Sequence, residues 1–170
     1  MDSKTFRNAL GRFAAGVTVI TTRTADGTDH GMTATAFSSV SLDPPLVLIC
    51  VGKKAFAHGH IEAAGSFTVN VLGAAQEALS DRFAHRIKTE DGYVGWPNDR
   101  DKFEDLDLQR APSGNAMLAG NLVTIDCDVE EALPGGDHTI FIGRVQHLEL
   151  ADDDEQTPLL FFKGQYKTTA

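Results

Sequence analysis

A chain of 170 residues, 42% of them hydrophobic, is long enough for one globular domain and needs no disulfide or metal to hold it together. A formal net charge of −9 excludes the basic footprint of a nucleic-acid binder, and no apolar run approaches the roughly 18 residues needed to span a membrane. Met1-Asp2-Ser3-Lys4 opens no apolar leader, and Cys50 and Cys127 each sit inside an apolar run, so a soluble cytoplasmic protein with reduced cysteines is expected.

Ser3 is the predicted cap of a first helix whose Phe6, Leu10 and Phe13 share one face before Gly16 ends it. Val17 to Thr22 is β-branched and reads as a strand, and the Asp26-Gly27 turn sends the next strand, His30 to Ala36, back antiparallel. Leu46 to Val51 is apolar on both faces and is expected deep in a sheet. Ala55 to Ala64 predicts a short helix ended by Gly65, Ser66 to Leu72 a half-buried strand, and Ala75 to Ala84 a helix with Leu79 and Phe83 inward. From Ile87 to Asn115 no period is sustained, which in a compact domain marks a functional or mobile stretch. Val123, Ile125, Cys127 and Val129 then alternate with Thr124, Asp126 and Asp128, Pro134-Gly135-Gly136 turns the chain, and Thr139 to Leu150 follows as one or two strands broken near Gly143. Asp152 to Glu155 is a solvated turn, and Leu159 to Phe162 a last strand. Hairpin-joined strands with a few short helices at the joints predict a mainly β, antiparallel barrel.

Three places carry the residue types that bind small anionic or flat ligands. Gly31 to Pro45 sets Thr33, Thr35, Ser38, Ser39 and Ser41 among small residues, where hydroxyls and exposed amides admit close approach. Gly52-Lys53-Lys54 ends the apolar strand beside a helix start and offers an anion seat, with Arg82 and Arg86 as further cations. Gly136-Asp137-His138 puts an imidazole at a strand end. The pair His58 and His60 does not make a metal site, because i, i+2 side chains diverge on a helix. No dinucleotide fingerprint, phosphate loop or nucleophile elbow is present. Taken singly, each of these features reads equally well as solvated surface.

In order, however, the segments FRNALGRFAAGVTVITT, GMTATAFSSVSLDPPLVLICV, SFTVNVLGAAQEALSDRFA, GGDHTIFIGRV and the terminal GQY resemble the flavin reductase family, whose fold is the FMN-binding split barrel. The resemblance runs from about Phe6 to Tyr166 and takes in the reductase components of two-component flavin-dependent monooxygenases. It implies a single domain over the whole chain, a homodimer, FMN or FAD as flavin, NADH or NADPH as donor, and a partner monooxygenase that receives reduced flavin. It implies that Met32, Thr33, Ala34, Thr35 and Ala36 line the flavin ring, with Ser38 and Ser39 close by. Cys50 and Val51 then run beneath the flavin chain, Gly52, Lys53 and Lys54 approach its phosphate, and Phe83, Ala84, His85 and Arg86 form a third flavin-side segment. Tyr166 matches an aromatic position near the ring, and His138 one that meets the nicotinamide. Two positions depart from the pattern: Thr35 where many relatives have Asn, and Ala55 where a small hydroxyl residue commonly follows the basic pair.

Hydride transfer between two cofactors needs no protein acid or base, which accounts for a sequence without a triad or paired carboxylates. Two other readings share the same barrel: a flavin-holding electron carrier or oxidase, and a non-enzymatic ligand-binding protein.

Overall fold

The computed structural model describes residues 1–84, 87–89, 92–94, 102–152 and 155–169, the segments 87–89 and 92–94 by their backbone. Helix α1 (Ser3–Leu10) is capped by Asp2 rather than by the expected Ser3; its carboxylate accepts the Lys4 and Thr5 amides at 3.2 and 2.9 Å. A carboxylate at this position also meets the positive end of the helix dipole, which a hydroxyl does not exploit. The chain continues through β1 (Ala15–Gly16) into β2 (Thr18–Arg23) and returns as β3 (Asp29–Ala34). The predicted turn between them forms: Gly27 takes φ +82°, and Asp26 accepts from the Thr24 hydroxyl and the Thr28 amide at 2.6 and 3.0 Å.

The expected strand from His30 to Ala36 stops at Ala34. After the two-residue link Thr35-Ala36 a separate strand, β4 (Phe37–Leu42), begins. Its alternation was hidden by serines and by a bulge that leaves Val40 without a partner on β5 (Pro45–Gly52). Helix α2 (Phe56–Ala64) and β6 (Ser66–Val71) follow as predicted, whereas the helix expected over 75–84 is divided into a 3₁₀ turn, Ala74–Gln76, and α3 (Glu77–Phe83). Among its described residues, the stretch read as irregular holds three short strands, β7 (Ile87–Thr89), β8 (Gly92–Val94) and β9 (Leu108–Arg110), and β10 (Ala116–Leu118) follows directly after it. A long hairpin of β11 (Val123–Gly135) and β12 (His138–Leu150) comes next, then β13 (Leu160–Phe162) and β14 (Gln165–Lys167). β12 is continuous, without the break expected near Gly143.

Seven strands form one antiparallel sheet in the order β3-β2-β6-β11-β12-β5-β4. Its two edges, β3 and β4, are consecutive in the chain. A two-residue link spans no more than about 10 Å, so the sheet must roll until its edges meet at that corner. The Cys50 amide donates to the Ala36 carbonyl at 3.1 Å and stitches the corner to β5. The apolar strand expected deep in the sheet therefore lies next to its edge: Val47, Ile49 and Val51 point into the barrel, while Leu48 and Cys50 are only half-buried on the other side.

The barrel interior is filled by Ile20, Ile49, Phe67, Val69, Cys127 and Phe141, and α2 closes one end with Ala57 and Ile61. A second apolar layer of Val17, Val19, Leu72, Phe83, Leu118 and Leu159 lies outside β2 and β6. Asp126, placed on an outward polar face by alternation, is only 1% exposed because the 111–115 loop covers it. It accepts the hydroxyls of Thr68 and Ser113, both at 2.6 Å, and the Ser113 amide at 3.1 Å, which fastens the 111–115 loop over the sheet. The apolar face of α1 behaves differently: no residue of the helix is buried.

Candidate functional site

The β3–β4 corner is also where the elements carrying the predicted site residues converge. Thr33, Ala34 and Thr35 at the end of β3 face Ala84 after α3 and Phe161 and Tyr166 of the C-terminal hairpin across a cavity of about 230 Å³. A second cavity of about 370 Å³ shares Thr33 and Ala84 and continues to Met32, Phe83, Lys54 and Phe56. A third, of about 540 Å³, shares Thr35 and Phe161 and continues to Ala36, Ser38, Cys50 and Phe13. The three form one groove that follows the chain from Met32 to Ser38. The two larger cavities are each in the volume range of small-molecule sites.

The groove wall is held by hydrogen bonds that point back into the protein. The Tyr166 hydroxyl donates to Asp81 Oδ1 and accepts from Ser80 Oγ, both at 2.8 Å. The Thr33 hydroxyl donates to the Ser80 carbonyl at 2.6 Å, and the Tyr166 ring meets Phe161 edge-on at 5.4 Å. With those polar atoms satisfied internally, the wall is lined by aromatic ring, methyl groups and backbone. Small side chains at Ala34, Ala36 and Ala84 keep it shallow enough for a flat ligand.

At the end of β5 two motifs far apart in sequence meet. Gly52 pairs with His138 across the strands, and the Lys53 amide donates to the Asp137 carbonyl at 2.9 Å. The Lys53 ammonium donates to the Gly136 carbonyl, 83 residues away, at 2.8 Å. His138 Nδ1 lies 2.7 Å from Asp137 Oδ1, and this hydrogen bond holds the Asp137 carboxyl below the usual carboxylate range. An ionised carboxylate only accepts, so Nδ1 carries the proton and Nε2, on the side of Gly52, stays available to a ligand. Gly136, with φ +72°, is the residue that lets the hairpin turn in two residues.

Met32 to Ala36, Ser38, Cys50, Lys54, Phe83, Ala84 and Tyr166 are thus brought to one groove, with Gly52 and His138 beside its lysine end. Others are placed differently. Ser39 is exposed on β4 and lines none of the three cavities. The Val51 side chain is fully buried in the barrel, so only its backbone can face a ligand. Lys53 is engaged with the Gly136 carbonyl, which leaves Lys54 as the lysine lining the groove. His85 and Arg86 lie outside the described residues. His58 and His60 diverge as expected, His58 to Thr139 Oγ1 at 2.7 Å and His60 stacked on His30 at 3.6 Å. Sequence reading missed Phe13, Phe56, Ser80, Asp81 and Phe161. Asp81 joins the site through Tyr166, 85 residues on, and Ser80 through Tyr166 and Thr33, 86 and 47 residues away, and no local pattern announces such contacts.

Residues 10–170 match the model of the flavin reductase like domain. The chain belongs to the flavin reductase family. As a flavin reductase-like chain it is 40% identical to the reductase subunit HsaB of a flavin-dependent monooxygenase from Rhodococcus jostii, over 98% of its own length and 77% of the relative's. It is 38% identical to an NADH-dependent flavin reductase from a Rhodococcus species, over 95% and 84% of the two chains. Among solved structures, the native flavin reductase PheA2 superposes with a TM-score of 0.85 at 40% identity, covering all of this chain and 99% of the other. The family's fold is the one observed here, and the groove stands at the corner its motifs build.

Proposed function

We propose that this protein is an NAD(P)H-dependent flavin reductase, which passes hydride from a reduced nicotinamide to FMN or FAD and supplies the reduced flavin to a partner monooxygenase. The observation that carries the proposal is the joining of a flat groove lined by Ala34, Ala84 and Tyr166 to a corner holding Lys54 and His138. The residues present suit a flavin: small and aromatic surfaces for the ring, the exposed Thr35-Ala36 link for its polar edge, and the Lys54 cation for a phosphate in an otherwise acidic protein. Bound flavin supplies the hydride-accepting ring, and the protein supplies position and charge. Tyr166, fixed by Asp81 and Ser80, holds one wall in place. Asp137 fixes the His138 tautomer, so Nε2 positions the nicotinamide nucleotide instead of moving a proton.

Residues 1–170 act as one domain in this reading, in the cytoplasm, where free Cys50 and Cys127 stay reduced. The working form is a homodimer. Its support is the face of α1, where Phe6 and Leu10 are 50% and 57% exposed, and Phe13 just beyond it, 79% exposed.

Steady-state NADH oxidation at several concentrations of added FMN and FAD tests the proposal. Turnover that rises with free flavin is the expected result, and turnover that ignores it favours an electron carrier. A purified chain that binds neither flavin at micromolar concentration refutes the reading. His138→Ala is expected to raise the NADH KM by about tenfold, the loss of one hydrogen bond, and to leave flavin affinity within about twofold. Equal loss of both makes His138 structural.

A further inference from the structure

Phe56 opens α2 and is 60% exposed, although Ala57 and Ile61 of the same helix are buried in the barrel mouth. Its ring lines the 370 Å³ cavity next to Lys54. Two imidazoles hold it from one side: His60 at 4.9 Å, tilted 60°, and His30 at 5.8 Å, tilted 55°. The imidazoles are themselves stacked, 3.6 Å apart and within 5° of parallel, and His30 is 5% exposed on β3. A large apolar ring is therefore anchored to the sheet through a ring stack, presented to solvent, and set two residues from a cation.

We infer that Phe56 is a stacking platform for the adenine of a dinucleotide, with Lys54 facing the phosphates that lead to it. The inference rests on the flavin reductase reading and deepens it by locating the adenylate end. A purine stacks offset on an aromatic face without any sequence-specific hydrogen bond, and a ring already immobilised loses little freedom when the base arrives. The adenine comes from FAD or from the reduced nicotinamide dinucleotide, and the two sources give different results.

The test uses the full-length protein and its Phe56→Ala and Phe56→Trp variants. Thermal unfolding and size-exclusion chromatography check the fold and assembly of each. Dissociation constants for FAD and FMN come from titration, and KM from steady-state turnover with NADH and with reduced nicotinamide mononucleotide, which lacks adenine. If FAD is the source, Phe56→Ala weakens FAD by about tenfold, FMN stays within twofold, and Phe56→Trp restores FAD binding. If the nicotinamide dinucleotide is the source, the same variant raises the NADH KM by a similar factor, with the mononucleotide and the FAD-to-FMN ratio unchanged. Either pattern supports the platform. It is overturned if the adenine-bearing and adenine-free ligands shift together, if none shifts, or if Phe56→Ala changes the oligomeric state and so assigns the ring to an interface. A wild-type chain that binds neither flavin overturns the parent reading and the platform with it, and that result is seen before any variant is made.

Discussion

Gly143 offers a sharp test of the barrel that carries the groove. It sits on β12 opposite Val47 of β5 and Val129 of β11, at the edge of a bulge in the β11–β12 ladder. A Cβ built on it would lie 2.9 Å from the Cys127 Cβ and 2.9 Å from Phe67 Cε1, and closer still to Phe67 Cζ. Both neighbours are fully buried in the barrel interior. Carbon atoms settle at about 3.5–4.0 Å, so Gly143→Ala creates overlaps approaching 1 Å on two sides at once. Neither neighbour has solvent to move into. Overpacking of this kind costs roughly 1–3 kcal/mol, and a fully enclosed site belongs at the upper end, about 3 kcal/mol. For a chain of this size that lowers Tm by about 6–12 °C. Thermal unfolding followed by circular dichroism measures it. Phe67→Leu in the same chain makes room for the methyl group, so the double variant is expected to lose less than the sum of the single ones. Gly59→Ala is the control. It lies inside α2 with nothing within 4 Å of its Cβ, and a gain of roughly 0.5–1 kcal/mol is expected. A Gly143→Ala protein that melts within a degree of wild type would mean that the Phe67 ring does not occupy the barrel centre.

The two lysines of the β5 corner are expected to separate by function. Lys54→Met should weaken FMN by about tenfold, with riboflavin unaffected and the difference fading at high salt, because one exposed cation–phosphate contact is lost. Lys53→Met should leave FMN alone and raise the NADH KM by about threefold, since its tie to the Gly136 carbonyl holds the His138 turn. Identical profiles for the two variants would sink the division. Tyr166→Phe strands the fully buried Ser80 hydroxyl and is expected to cost about 1–2 kcal/mol, or roughly 2–8 °C in Tm, together with weaker flavin binding. Unchanged flavin affinity would remove Tyr166 from the site. Burial pushes the Cys127 thiol up to about 12, whereas Cys50 is half-buried on the groove wall. A maleimide at neutral pH should therefore label Cys50 alone in the native protein and more slowly when flavin is bound, with Cys127 reacting only after denaturation. Comparable native rates for both thiols would contradict the closed core.

Much of the architecture is legible in local pattern. The β-branched run at Val17 to Thr22, the Asp26-Gly27 turn and the alternation from Val123 to Val129 reflect sterics and burial within a few residues of each other, and these appear where expected. The order of five motifs from Phe6 to Tyr166 was enough to name the family and to pick out the stretch from Met32 to Ala36 that the groove follows. Other features depend on contacts made only after the chain folds back. Asp126 looked solvent-facing until the 111–115 loop covered it, Gly143 looked like a strand break until the Phe67 ring took the space of its side chain, and β4 was masked by serines whose pairing with β5 no period reveals. The different tasks of Lys53 and Lys54 arose in the same way, from a carbonyl 83 residues away. By itself the sequence determined the longer strands, because propensity and alternation act between neighbours, and its ordered motifs carried the resemblance to the family. Only the tertiary structure decided which hydroxyl, ring or ammonium faces the groove, because that choice belongs to partners distant along the chain.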